Sequence, residues 1–169
     1  MKRMVLLVLV MLVCLAASGE NAATPSEAVS AYDRIEMSMT KDEIAHLFDG
    51  VYDQDGEYIV FGGEVMCVFF ESGRLQAKAK VFEDARDIAP VCAIPVKELS
   101  SYKQGMLISE VAEAFGSEGI EIMKISLADE DNAGVRRVFV WKTETNDCVQ
   151  ALFELDDNMW KLFAIAEVK

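Results

Sequence analysis

The sequence predicts an α+β fold of two tandem helix-helix-antiparallel-sheet repeats, with the helices on one face of the sheet. Three observations predict it. Met39-Thr40-Lys41-Asp42-Glu43-Ile44-Ala45-His46-Leu47-Phe48 recurs as Met106-Leu107-Ile108-Ser109-Glu110-Val111-Ala112-Glu113-Ala114-Phe115, an offset of 67. Met, Glu, Ala and Phe stay in register, and Val111 answers Ile44. Phe70-Glu71 then recurs as Phe153-Glu154 at an offset of 83, so the second repeat carries 16 extra residues before that point. Finally, both recurrences lead into short apolar or alternating runs separated by glycine turns, the mark of antiparallel strands.

The first repeat spans residues 20–83. Thr24-Pro25-Ser26-Glu27 has the form of a capping box with proline at the first helical position, and predicts a helix to about Ile35. Thr40-Lys41-Asp42-Glu43 is a second capping box. Its helix puts Ile44, Leu47 and Phe48 on one face and stops at Asp49-Gly50. Residues 58–61 and 65–71 read as strands joined by a Gly62-Gly63 turn. After Ser72-Gly73, Leu75, Ala77, Ala79 and Val81 alternate with Gln76, Lys78 and Lys80, which predicts a half-buried strand with a wet lysine face.

Residues 84–98 contain Pro90 and Pro95, show no period and are assigned as a linker. The second repeat, residues 99–169, opens with a helix over 107–115 stopped by Gly116. Leu107 stands where Thr40 caps the first copy, so that side-chain cap is absent. Residues 120–127, 135–142 and 148–155 read as strands, and Trp160, Leu162, Ala164 and Ala166 alternate in a last one. A single copy of about 70 residues buries too little apolar surface to stand alone comfortably, so a shared core is expected. The sheet is expected to have seven or eight strands, with its other face left to water.

The N-terminus reads as a signal peptide over residues 1–19. Lys2 and Arg3 precede an unbroken apolar run at 4–15, and Ala16, Ala17, Ser18 and Gly19 supply small residues for cleavage after Ala17 or Gly19. The run is too short for a stable membrane span. Cys14 offers an alternative, a lipidated envelope protein, but Val13 before it is bulkier than a lipoprotein signal peptidase favours. Loss of Lys2 and Arg3 takes the net charge from −13 to −15. Such a chain repels nucleic acid and anionic membrane surfaces, and is steered toward basic partners.

Few residues have the spacing that chemistry needs. Cys67, Cys92 and Cys148 remain after the signal, each in an apolar context, with no CxxC and no Cys/His cluster. They allow one disulfide with a spare thiol, or none. His46 is the only histidine and reads as a solvated helix residue. Asp53-Gln54-Asp55-Gly56-Glu57 and Asp129-Glu130-Asp131-Asn132 are acidic stretches without the spacing of an EF-hand, and read as hairpin tips. There is no Gly-x-Ser-x-Gly and no phosphate-cradling glycine loop. No cofactor, metal site or catalytic residue is assigned, and the chain reads as a non-enzyme. The rival enzyme, a composite carboxylate hydrolase, would need a deep pocket with converging Asp or Glu.

Ser38-Met39-Thr40 with Glu43, Gly105-Met106 with Glu110, and Val68-Phe69-Phe70 through Gly73, Leu75 and Lys78 carry a resemblance. The pattern resembles the beta-lactamase inhibitor protein superfamily, which includes the small outer-membrane lipoprotein of the β-barrel assembly machinery. It covers most of residues 30–168. The resemblance implies a tandem module that grips another protein with its helix-free sheet face and hairpin loops. In the inhibitor an acidic residue after a glycine enters the enzyme's pocket, and Gly63-Glu64 occupies the matching place here. Glutamate is longer than the family's aspartate, and the family's two intradomain disulfides have no matching cysteines.

The expected function is a secreted or cell-surface protein-binding module. Its partner would be an extracellular or envelope protein with a basic surface, and the sequence does not specify its oligomeric state. The candidate contact residues are Gly63, Glu64, Tyr58 and Trp141, with the hairpins at 62–64 and 142–147. An envelope lipoprotein with a scaffold role in a membrane complex is the alternative.

Overall fold

The structure, a computed structural model, describes residues 30–93, 96–128 and 134–168. The chain divides into two compact units, residues 1–84 and 85–169. Antiparallel sheet dominates both. Nine strands occur among the described residues, against four α-helices of only four to eight residues. This corrects the predicted class of helix-helix-sheet repeats: the fold is sheet-dominated. The expected first helix is helical only at α1 (Ala31–Arg34) among its described residues, because the chain turns extended at Ile35. A strand absent from the prediction, β1 (Tyr52–Asp55), adds further sheet.

In the first unit β1, β2 (Tyr58–Phe61), β3 (Val65–Phe69) and β4 (Leu75–Lys80) form an antiparallel meander. The helix α2 (Lys41–Leu47) forms where the sequence predicts it. Thr40 accepts from the Glu43 backbone, and the Glu43 carboxylate accepts from Thr40 N at 2.8 Å, closing the box. Those bonds, from the Thr40 backbone and then its hydroxyl, hold the Glu43 carboxyl below its ordinary pKa. Asp49 and Gly50 end the helix with positive φ angles of 52° and 78°.

Residues paired across strands share a face. One face carries the rows Tyr52–Phe61–Val65–Lys80 and Gln54–Ile59–Cys67–Lys78. Both helices pack on it, burying Ile59, Phe61, Val65, Cys67 and Leu75 with Tyr32, Ile35 and Ile44. Lys78 belongs to this helix-covered face and is 5% exposed, which corrects the expected wet lysine face. A shift in register at Val68/Phe69 sets Leu75 opposite Phe69, so the alternation of β4 does not run unbroken from Leu75. The Lys78 Nζ donates to the Tyr32 and Ile35 carbonyls, both at 2.7 Å, and lies 4.0 Å from the Tyr32 ring centroid. Within the segment Tyr32 O accepts a longer bond, from Ile35 N at 3.3 Å, and Ile35 itself is the residue at which the chain leaves α1.

In the second unit β6 (Ile120–Ser126), β7 (Val135–Thr143), β8 (Cys148–Asp156) and β9 (Met159–Val168) form another antiparallel meander. The span assigned as linker contains α3 (Ala85–Ile88) and β5 (Val91–Cys92), and a 3-10 helix at Val96–Ser101 begins within it. The short β5 pairs parallel with the end of β7. The helix α4 (Ile108–Phe115) starts at Leu107 with half a capping box, since only the Glu110 carboxylate can accept, from Leu107 N at 2.6 Å.

Several contacts inside the first unit have counterparts inside the second. Ile44 and Val111 are both fully buried. The Phe48 ring meets Phe61 at 5.8 Å, and Phe115 meets Trp141 at 4.9 Å. Leu75 N donates to Met39 O, as Leu162 N does to Met106 O. Register shifts occur at Val68/Phe69 and at Leu152/Phe153. The strands therefore correspond as Phe69 to Phe153, one residue from the sequence alignment of Phe70 with Phe153. The same irregularity in β9 puts Trp160 and Leu162 with the helix-side core and turns Ala164 to the far face with Leu152, so the expected four-residue alternation breaks.

Replacing Lys78 by Met keeps the apolar stem and removes the donors to two buried carbonyls. Urea unfolding followed by circular dichroism should show a loss of about 2 kcal/mol.

Candidate protein-binding surface

The far face of the first unit carries two cross-strand rows. One runs Asp53–Val60–Met66–Ala79 and the other Asp55–Tyr58–Val68–Ala77. Both aspartates are exposed, Tyr58, Val60, Met66 and Val68 are half-buried, and the alanines are buried. An apolar strip is thus open to solvent with acids along its outer edge. The Tyr58 hydroxyl donates to Asp55 Oδ2 at 2.7 Å, and this bond, first among its causes, raises the tyrosine's pKa.

The hairpin at 62–64 closes one end of this surface. Gly62 has φ +58°, and a Cβ there would lie 2.6 Å from Phe48 Cδ1, so both the backbone and the α2 C-terminus require glycine. Gly63, at φ +72°, faces open space. Glu64 is exposed, with its backbone held by Phe61 and Val81. Val51, 63% exposed, accepts from Gly62 N through its backbone carbonyl. Tyr58 begins β2 and Gly63 lies in the turn after its far end, with about 10 Å of strand between. They share one surface and do not converge on a point.

Trp141 is not part of any exposed surface. It is 0% exposed, lies edge-on against Phe115, and donates its indole N–H to Ser117 O at 3.1 Å. This corrects its assignment as an interface anchor. Its side alternates with those of Val140 and Lys142, and that parity turns it under α4 beside Phe139 and Val149. The hairpin after it is largely self-contained: Thr143, Thr145 and Asp147 bond to one another, and Asn146 takes a φ of 65°.

The far face of the second unit is also not the bare surface expected. Met123, Ile125, Val138 and Val140 on β6 and β7 are no more than 4% exposed. Exposure returns at β9, where Ala164 and Ala166 are open and Phe163 is 39% exposed.

The remaining candidates carry little chemistry. Cys67, Cys92 and Cys148 are all buried. Burial pushes the Cys67 thiol up to about 12, against a smaller opposing effect of Lys78. His46 is exposed on α2. Asp53 and Asp55 lie in β1, not in a turn, while Gly56 and Glu57 make the turn. Cys14 and the Asp129-Glu130-Asp131-Asn132 stretch lie outside the described residues.

Sequence reasoning missed two clefts. One of about 580 Å³ lies at strand ends of the first unit, lined by Lys41, Gln54, Ile59, Val68 and Phe69 among others. One of about 280 Å³ in the second is lined by Ile108, Ala112, Gly119, Arg137, Phe139 and Trp141 among others. The Phe69-Phe70 pair was the available signal for the first, and Gly119 before β6 for the second. Glu57 and Glu71 also line the first cleft, and Glu118 lines the second.

Among the described residues no group of His, Cys, Asp and Glu is placed to hold a metal, and no helix is long and apolar enough to cross a membrane.

Two outcomes follow from this packing. A Cβ at Gly119 would overlap the Trp141 indole. Gly119→Ala should therefore cost about 2 kcal/mol and red-shift tryptophan emission in a thermal or urea melt. Cys67 should resist Ellman's reagent in the native protein at pH 8, where its thiol stays protonated, and should react once urea unfolds the chain.

No family model matches the chain, and no curated protein matches it.

Proposed function

We propose that this chain is a secreted or cell-surface protein-binding module, and that its contact surface is the far face of the first unit together with the hairpin at 62–64. One observation carries this reading: the two rows of β1–β3 leave Tyr58, Val60, Met66 and Val68 half-exposed beside acidic residues. An uncovered apolar strip with a polar rim is the usual composition of a protein contact. The resemblance to the beta-lactamase inhibitor superfamily supports the same face and the same hairpin. Glu64 is the acidic residue that would enter a partner's cavity. The basic start and apolar run of residues 1–15 support export. The net charge of −13 favours a partner with a basic surface.

Trp141 is buried and has no part in this surface. The test is capture of extracellular proteins by immobilised wild type, Met66→Asp and Glu64→Ala. Met66→Asp places a charge in the centre of the strip, and Glu64→Ala empties the hairpin tip. Each should weaken a captured partner about tenfold or more while leaving the unfolding midpoint nearly unchanged. Equal capture by all three proteins would reject the surface.

A further inference from the structure

We propose that the outer edge of β1 takes an added strand from a partner, an extended segment with cationic side chains at alternate positions. This rests on the protein-binding reading of the first unit and names the partner's chemistry.

The edge is defined by the backbone. β1 is the terminal strand of the sheet order and pairs only with β2 among the described residues. Gly62 N donates to Val51 O at 3.1 Å. Bonded and unbonded pairs alternate in an antiparallel ladder, so Asp53 and Asp55 bond inward to β2. Tyr52 and Gln54 therefore turn their N–H and C=O groups outward. No described residue bonds those groups on the outer side. They are the donors and acceptors an incoming strand needs.

The two faces of this edge differ in charge. Asp53 and Asp55 project to the far face, beside Val60 and Tyr58. Tyr52 and Gln54 project to the helix face, where Lys41 Nζ lies 4.7 Å from the Tyr52 ring centroid and 3.4 Å from Gln54 Oε1. An added strand would set one set of alternate side chains against the two aspartates and the other against Lys41 and Tyr52. Cations are favoured on the first set and disfavoured on the second, while apolar side chains suit the second. The required pattern is cation, apolar, cation.

A second copy of this chain does not fit. Antiparallel pairing of β1 with its own copy would bring Asp53 and Asp55 against the same residues on one face, and like charges opposite each other are destabilising. The chain's net charge of −13 adds to that repulsion and draws a basic segment instead.

The probe is a blocked peptide of alternating valine and lysine, compared with a peptide of the same composition whose lysines form one block. Fluorescence anisotropy should show tighter binding of the alternating peptide, weakening as salt is raised. Amide hydrogen exchange should slow at Tyr52 and Gln54. Gln54→Pro removes an outward donor without touching the β1–β2 ladder. It should weaken the peptide about fivefold. Asp53→Asn with Asp55→Asn should weaken it about tenfold at low salt. Should the proline variant misfold, the aspartate variant and the exchange measurement still decide.

Equal binding of the two peptides, or unchanged exchange at Tyr52 and Gln54, would overturn strand addition. A partner whose capture is lost in Met66→Asp but unaffected by Gln54→Pro would keep the binding face and overturn the edge. Protection of Tyr52 and Gln54 by the alternating peptide, with partner capture indifferent to Met66→Asp, would keep the edge and overturn the face.

Discussion

The first unit is organised around a buried lysine ammonium. Lys78 reaches from β4 to the carbonyls of Tyr32 and Ile35 and rests against the Tyr32 ring. A four-residue helix such as α1 has no stability of its own, because nucleation costs more than its few bonds return. Its closing bond, from Ile35 N to Tyr32 O, is long at 3.3 Å. Lys78 adds bonds to Tyr32 O and Ile35 O and fastens the segment to the sheet. Tyr32 and Ile35 then join Ile59 and Cys67 in one buried cluster, and the helix side of the meander is closed. Burying an ammonium is costly, and it is tolerated here because carbonyls and an aromatic face replace water around it.

That closure decides which surface remains available. With α1 and α2 spent on one face, the opposite rows lead from exposed Asp53 and Asp55 to half-buried Val60, Met66 and Val68. Apolar area and negative charge therefore stand side by side at the β1 edge. The second unit makes a similar core from Val111, Phe115 and Trp141, yet its far face is closed at β6 and β7. The likeness between the units lies in their cores. The recurring bulge, the Met-to-Leu backbone bond and the aromatic pair under each helix are the features they share.

The sequence made α2 legible because Thr40 and Glu43 cap each other over four residues, a purely local event. The strands β2, β3 and β4 were equally legible from the Gly62-Gly63 and Ser72-Gly73 turns and the runs between them. β1 was not, since Tyr52-Asp53-Gln54-Asp55 has almost no apolar pattern. It is a strand because β2 supplies a ladder to bond to, and all its side chains are exposed. Of the candidate site, Gly63 and Glu64 fell on an exposed hairpin, and Tyr58 fell on the far face. Trp141 did not, because a tryptophan near the end of a strand gives no sign of which face its parity will choose.

By itself the sequence determined the acidic charge, the capped α2, most strand limits and the sites where only glycine turns the chain, since these depend on composition or on neighbours a few residues away. It also marked the recurrence around Met39 and Met106. Only the tertiary structure decided that sheet outweighs helix, that Lys78 is buried, that Trp141 lies beneath α4 and that the first unit alone leaves its far face open at β1–β3. Each of these depends on which rows meet across strands, and one bulge shifts every side chain beyond it to the other side.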